Sequence, residues 1–149
     1  MTDSNREMIL DAYKATLQNI TIAKGFNNTV SRVVRKMLSW DDPTVSFPIL
    51  MLLGGNETFE DEFGEKAHSQ FSIKIRGYTK DMDEPEEELN SLIKDVLKVL
   101  ENKTYNTYHS SFRPISVDTD EGWLNSESEG VAMFEITILQ RYRFDRSDP

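Results

Sequence analysis

Two neighbouring stretches narrow the folds open to this chain more than any other feature. Phe71-Ser-Ile-Lys-Ile-Arg-Gly-Tyr78 places Phe71, Ile73 and Ile75 on one side and Ser72, Lys74, Arg76 and Tyr78 on the other, the period of two that marks a half-buried strand. After an acidic turn, Leu89, Leu92, Ile93, Val96 and Leu100 recur at helical spacing between Pro85 and Leu100. A strand with one apolar face needs a cover, and the apolar stripe of the helix supplies one. Strand and helix are therefore expected to fold as a unit.

The chain has 149 residues, 38% of them hydrophobic and 29% charged. That length and balance suit one soluble domain, spanning residues 1–149, with a single core. The longest apolar run, Phe47 to Leu53, is far too short for a membrane span and contains Pro48. Met1-Thr-Asp-Ser-Asn5 lacks the basic and apolar regions of a secretory leader, so a cytosolic site of synthesis and use is expected. Cysteine is absent, which removes disulfides, thiolate chemistry and cysteine-type zinc sites. A net charge of −9 repels nucleic-acid phosphates at long range and argues against wrapping DNA, although it is compatible with a surface that DNA slides past.

Along the chain, Ser4-Asn-Arg-Glu7 has the form of a capping box and leads into Ile9, Ala12, Tyr13, Thr16, Leu17 and Ile20, which predicts a first helix from Ser4 to Asn19. Gly25 and Asn27-Asn28 break the chain before Val30 to Arg35, whose alternating valines and basic residues predict a strand near a sheet edge. Trp40 to Pro43 is predicted as a loop. Phe47 to Leu53 is continuously apolar, as in a strand covered on both faces, and is expected at the centre of the sheet, stopped by Gly54-Gly55-Asn56. Glu57 to Glu65, with its carboxylates around Phe59 and Phe63, is expected to be an exposed connection.

In the second helix, Glu86, Glu87 and Glu88 load the first turns and Lys94, Lys98 and Lys103 lie toward the end, which complements the helix dipole. A short strand follows at Arg113 to Asp118, then a polar turn region from Trp123 to Gly130. The last strand, Val131 to Phe144, sends Phe134, Ile136, Ile138, Tyr142 and Phe144 to one side and Glu135, Thr137, Arg141 and Arg143 to the other. Its basic end is long enough to pass the sheet and meet another subunit or to stand as a solvent-facing edge. The order implies an α+β domain: a mixed, mostly antiparallel sheet of about five strands with two main helices packed on it.

Little in the sequence points to catalysis. Gly54-Gly55-Asn56 follows a strand but lacks the Gly-Lys-Ser/Thr that would neutralise a phosphate, so a turn is the favoured reading. Asp81, Asp83, Glu84 and Glu86 are suitable oxygen ligands for magnesium, yet helix-start chemistry accounts for them and no calcium-loop spacing is present. His68 and His109 sit in no nucleophile or ligand motif. Trp40, Phe59, Phe63 and Trp123 fall in polar segments, where exposed aromatics serve as interface anchors or fold back onto the core. No catalytic residue, cofactor or metal site is expected.

The succession of an N-terminal helix, Gly25-Phe-Asn-Asn-Thr-Val30, Phe47-Pro-Ile-Leu-Met-Leu-Leu-Gly-Gly-Asn-Glu57, Ile73-Lys-Ile-Arg-Gly-Tyr78, Leu92-Ile-Lys-Asp-Val-Leu-Lys-Val-Leu100 and Phe134-Glu-Ile-Thr-Ile-Leu-Gln-Arg-Tyr142 resembles the tail terminator proteins of long-tailed bacteriophages. The resemblance runs from Met8 to Arg143. It implies a structural virion protein, without enzymatic activity, forming a hexameric ring at the head-proximal end of the tail tube. Such a ring ends tube polymerisation, offers a docking surface to the head-neck connector proteins, and lets DNA pass without specific binding. Assembly in the host cytoplasm and residence in the virion tail or neck follow, with no membrane partner. On this reading Glu57, Phe59, Glu60, Asp61, Glu62 and Phe63 form a channel or tube-contacting element, with Trp40, Trp123, Arg141 and Arg143 as further interface residues. The alternatives are another neck or tail component, such as a head-tail connector or tube subunit, and an enzyme using a carboxylate-bound metal.

Overall fold

The computed structural model describes residues 4–35, 46–61, 66–80, 83–120, 131–145 and 147. Helix α1 (Asn5–Leu17) is followed by a short 3-10 helix (Ile22–Lys24), strands β1 (Arg32–Val34), β2 (Ile49–Asp61) and β3 (Lys66–Lys80), helix α2 (Pro85–Leu100), and strands β4 (Phe112–Asp120) and β5 (Val131–Asp145). The strands make one sheet in the order β1-β2-β3-β5-β4, with β1 parallel to β2 and the other pairs antiparallel. The expected α+β architecture is present, with both helices contributing to the same core.

Ser4 caps α1 by accepting a hydrogen bond from the Glu7 backbone N–H. Only half of the capping box is made, because the Glu7 carboxylate is turned to Arg35, whose guanidinium holds its pKa below the usual carboxylate value. Helix α2 opens with Pro85 and its glutamates and buries Leu89, Leu92, Val96, Val99 and Leu100 against β3 and β5. The main core joins these residues to Ile9, Leu10, Tyr13 and Leu17 of α1 and to Leu50, Leu52, Phe71, Ile73, Ile75, Phe134, Ile136 and Ile138 of the sheet. Burial of so many large aliphatic and aromatic side chains, each worth roughly 1.5–3 kcal/mol, is the dominant favourable term.

The loop between the short helix and β1 is locked by a buried acid. Asp95 of α2 accepts hydrogen bonds from the backbone N–H groups of Asn27 and Asn28, at 3.0 and 2.8 Å, and from the Asn28 side chain at 2.9 Å. On the far face of the sheet a smaller apolar cluster joins Val34, Ile49, Met51 and Tyr78. The run from Phe47 to Leu53 is thus apolar on both faces, as its composition predicts.

Two expectations are corrected. The centre of the sheet is β3, since only β1 lies outside β2 while β5 and β4 lie on the other flank of β3. Gly54-Gly55-Asn56 does not stop β2, and Glu57 to Asp61 is strand rather than exposed connection. The pairing with β3 shifts register between Gly54 and Glu57 and then resumes, so the glycines make a bulge instead of an end. Residues 62–65 of that expected connection, the Trp40 loop and the Trp123 turn region lie outside the described residues.

Candidate functional site

Beyond the start of β4 the ends of β2, β3 and β5 pair as a three-stranded arm, and the bulge at its base is where the sequence prepares it. Glycine at position 54 admits a close approach: a Cβ there would lie 3.1 Å from the Arg6 guanidinium and 3.1 Å from the Phe71 ring. Arg6, from the first turn of α1, uses that space. It donates to the Gly55 carbonyl at 3.0 Å and to the Glu57 carboxylate at 3.2 Å, and its guanidinium carbon stands 4.2 Å from the Phe71 ring centroid.

Glu57 is the hub of the arm's base. Its side chain is only 6% exposed, and its other oxygen accepts from the Ser69 hydroxyl and the Tyr142 phenol, both at 2.6 Å. A charged carboxylate can stay in so sheltered a position because the three donors replace its water. Burial and the Glu57 carboxylate together push the Tyr142 phenol up to about 12.

Beyond Glu57 the two faces of the arm differ. On the helix-side face, Phe59 meets Phe144 edge-on at 5.8 Å and Phe144 meets Tyr142 at 5.6 Å, leaving Phe59 63% exposed. On the opposite face, Glu60 accepts from Arg141 and from the Gln70 side chain, each at 3.0 Å. Strand β4 starts at Phe112 opposite Gln140, so the last residues of β5 overhang it and leave a notch of about 590 Å³. His68, Arg113, Arg141 and Arg143 surround this notch, and Phe112, Leu139 and Tyr142 give it an apolar lining.

The structure therefore gathers Glu57, Phe59, Glu60, Asp61, Arg141 and Arg143 onto one arm, with Glu57 turned inward and Phe59, Glu60, Arg141 and Arg143 outward. Trp40, Glu62, Phe63 and Trp123 lie outside the described residues. Sequence patterning missed Arg6, Ser69 and Tyr142 as partners of Glu57, since residues 51, 12 and 85 positions away leave no local signal. The other open margin is β4, which among the described residues pairs with β5 alone and keeps Ile115 and Val117 exposed.

Chemically, these groups offer recognition. Exposed aromatic and ionic side chains on a stiff, hydrogen-bonded arm suit contact with another macromolecule. The carboxylates of Asp83, Glu84, Glu86 and Glu87 surround a shallow surface hollow at the start of α2, and among the described residues no cluster of His, Asp and Glu is arranged to hold a metal ion. No helix among the described residues is long and apolar enough to cross a membrane.

No curated protein matches the chain. A family model described as bacteriophage tail tube terminator protein matches residues 3–148, nearly the whole length.

Proposed function

The chain belongs to the bacteriophage tail tube terminator family, structural proteins of the virion tail, and from that premise we propose that copies of it close into a ring, with six members, on the head-proximal end of the tail tube. The ring stops further tube subunits from adding and presents its free side to the head-neck connector proteins. Assembly takes place in the host cytoplasm, and DNA passes through the channel without specific binding. The chain acts by shape and contact, with no bond made or broken.

The observation that carries this reading is the family match across residues 3–148. The open sheet supports it. Strand β4 is exposed from Arg113 to Thr119 with Ile115 and Val117 uncovered, and beyond Met51 the outer side of β2 has no strand partner among the described residues. A sheet open at both margins suits heterologous side-to-side contacts, which close into a ring when the rotation between copies is right. The negative net charge supports free passage of DNA by like-charge repulsion. Phe59, Glu60, Asp61, Arg141 and Arg143 are the proposed contact residues of the arm, toward the channel, the tube or a neighbouring copy.

The test is assembly without the protein. Particles lacking it are expected to show tubes of irregular length and filled capsids without joined tails in electron micrographs. Tails of normal, uniform length joined to filled capsids would overturn the reading. A tube subunit would instead give open-ended filaments from the purified chain.

A further inference from the structure

The two margins of the arm complement each other at one height. Register pairing puts Phe59, Ser69 and Tyr142 in one row across the three strands, and Glu60, His68 and Arg143 in the next. On the β2 side that row ends in an exposed phenylalanine followed by a carboxylate. On the β5 side it ends in the notch, where Arg113 and Arg143 flank half-buried Phe112, Leu139 and Tyr142. Three arginines around one hollow are conspicuous in a chain with a net charge of −9.

We propose that in the assembled ring the notch of one copy receives Phe59 and Glu60 of the next. This rests on the ring reading above and names its contact. A neighbour rotated about an axis running along the strands brings Phe59 and Glu60 level with Tyr142 and Arg143 at one wall of the notch, because these residues share rows, while Phe112, Arg113 and Leu139 lie two to four rows farther along toward the start of β4. Phe59 then packs on the Tyr142 and Phe112 rings of the neighbour, which lie on its own face, and Glu60, already held by Arg141 of its own chain, gains Arg143 of the neighbour, with Arg113 farther along that same opposite face. An aromatic anchor in a hollow rimmed by arginine is the kind of contact that dominates interface energetics. Each copy uses one margin as donor and the other as receiver, which is the head-to-tail arrangement that a closed ring needs. Nucleic acid is the poorer occupant, since the floor of the notch is partly apolar and the molecule's net charge of −9 repels phosphate despite the local arginines.

The test uses Phe59→Asp and Arg143→Glu in the full chain, with the mass of assemblies measured by light scattering and folding checked by thermal melting. Both side chains are exposed at the arm's surface, so each variant is expected to keep a cooperative melt, with at most a small fall in Tm from the contacts each side chain makes within its own chain. Wild-type protein forms the ring, alone or on purified tail tubes, while each variant remains a single chain. An equimolar mixture of the two gives a species of two chains and nothing larger, because each such pair retains one intact notch facing one intact Phe59 margin. Rings formed by either variant alone, or a mixture that stays entirely as single chains, overturn the proposal and leave the ring reading in place. Wild-type protein that forms no ring in solution or on tubes overturns both.

Discussion

The phenol of Tyr142 donates a 2.6 Å hydrogen bond to the carboxylate of Glu57, joining the end of the last strand to the bulge of β2 across 85 positions of sequence. With Ser69 and Arg6 on the same carboxylate, this bond fixes how the arm leaves the body of the domain.

Truncating the hub should therefore cost far more than a surface change. Glu57→Ala leaves the Tyr142 and Ser69 hydroxyls without this acceptor in a sheltered site and leaves Arg6 only the Gly55 carbonyl, and a loss of about 3 kcal/mol is expected, with a fall in Tm of roughly 10 °C. Tyr142→Phe removes one donor only, and about 1 kcal/mol is expected for it. Thermal melting followed by circular dichroism checks both, and equal small losses would contradict the hub.

Alkaline pH should weaken the same joint. The folded-state pKa of Tyr142 is raised from 10.0 to about 12, so the stability linked to it is fully present below pH 10.0 and is lost as pH rises through about 12. Denaturant midpoints measured across that window are expected to fall more steeply for the wild type than for Tyr142→Phe. A spectrophotometric titration should also show Tyr142 ionising late.

Gly77 lies opposite Phe134 in the β3–β5 ladder, and the phenylalanine ring occupies the place of the missing side chain: an added Cβ would stand 2.1 Å from a ring carbon. Phe134 is fully buried, so the clash cannot be relieved toward solvent. Gly77→Ala is expected to destabilise by about 1–3 kcal/mol, the usual range for overpacking. Pairing it with Phe134→Leu should recover part of the loss in a double-mutant cycle.

Asp95 is 1% exposed and serves three N–H donors of the Asn27-Asn28 loop. Asp95→Asn keeps the shape but replaces one acceptor oxygen by a donor facing those N–H groups, and a loss of about 2 kcal/mol is expected. Hydrogen exchange should show faster exchange of the Asn27 and Asn28 amides, and unchanged protection there would refute the role.

On the acid side, burial pushes the Glu135 carboxyl up, but the Arg76 hydrogen bond at 2.7 Å and the nearby Lys74 outweigh it and the net shift is downward. That contribution is present above the ordinary carboxylate value of 4.5 and is lost as pH falls through the lowered one. Glu135→Gln should therefore flatten the acid limb of the stability profile, as read from denaturant midpoints.

Local patterns determined a large part of this molecule. The alternation at Phe71 to Tyr78 and along Val131 to Phe144, and the stripe from Leu89 to Leu100, each require burial of one face whatever surrounds them, so strands, helices and the α+β class follow from the chain itself. The order of motifs carried the resemblance to the tail terminators, which the family match bears out. Tertiary structure alone decided that Gly54-Gly55 is a bulge and that β3 takes the centre. It also decided that Glu57, in a run of acids that reads as exposed loop, is sheltered under Tyr142. The reason is physical: a glycine pair is compatible with either a stop or a register shift, and the choice rests on cross-strand partners and on Arg6. A carboxylate, likewise, is kept from water only when donors from distant parts of the chain arrive to replace it.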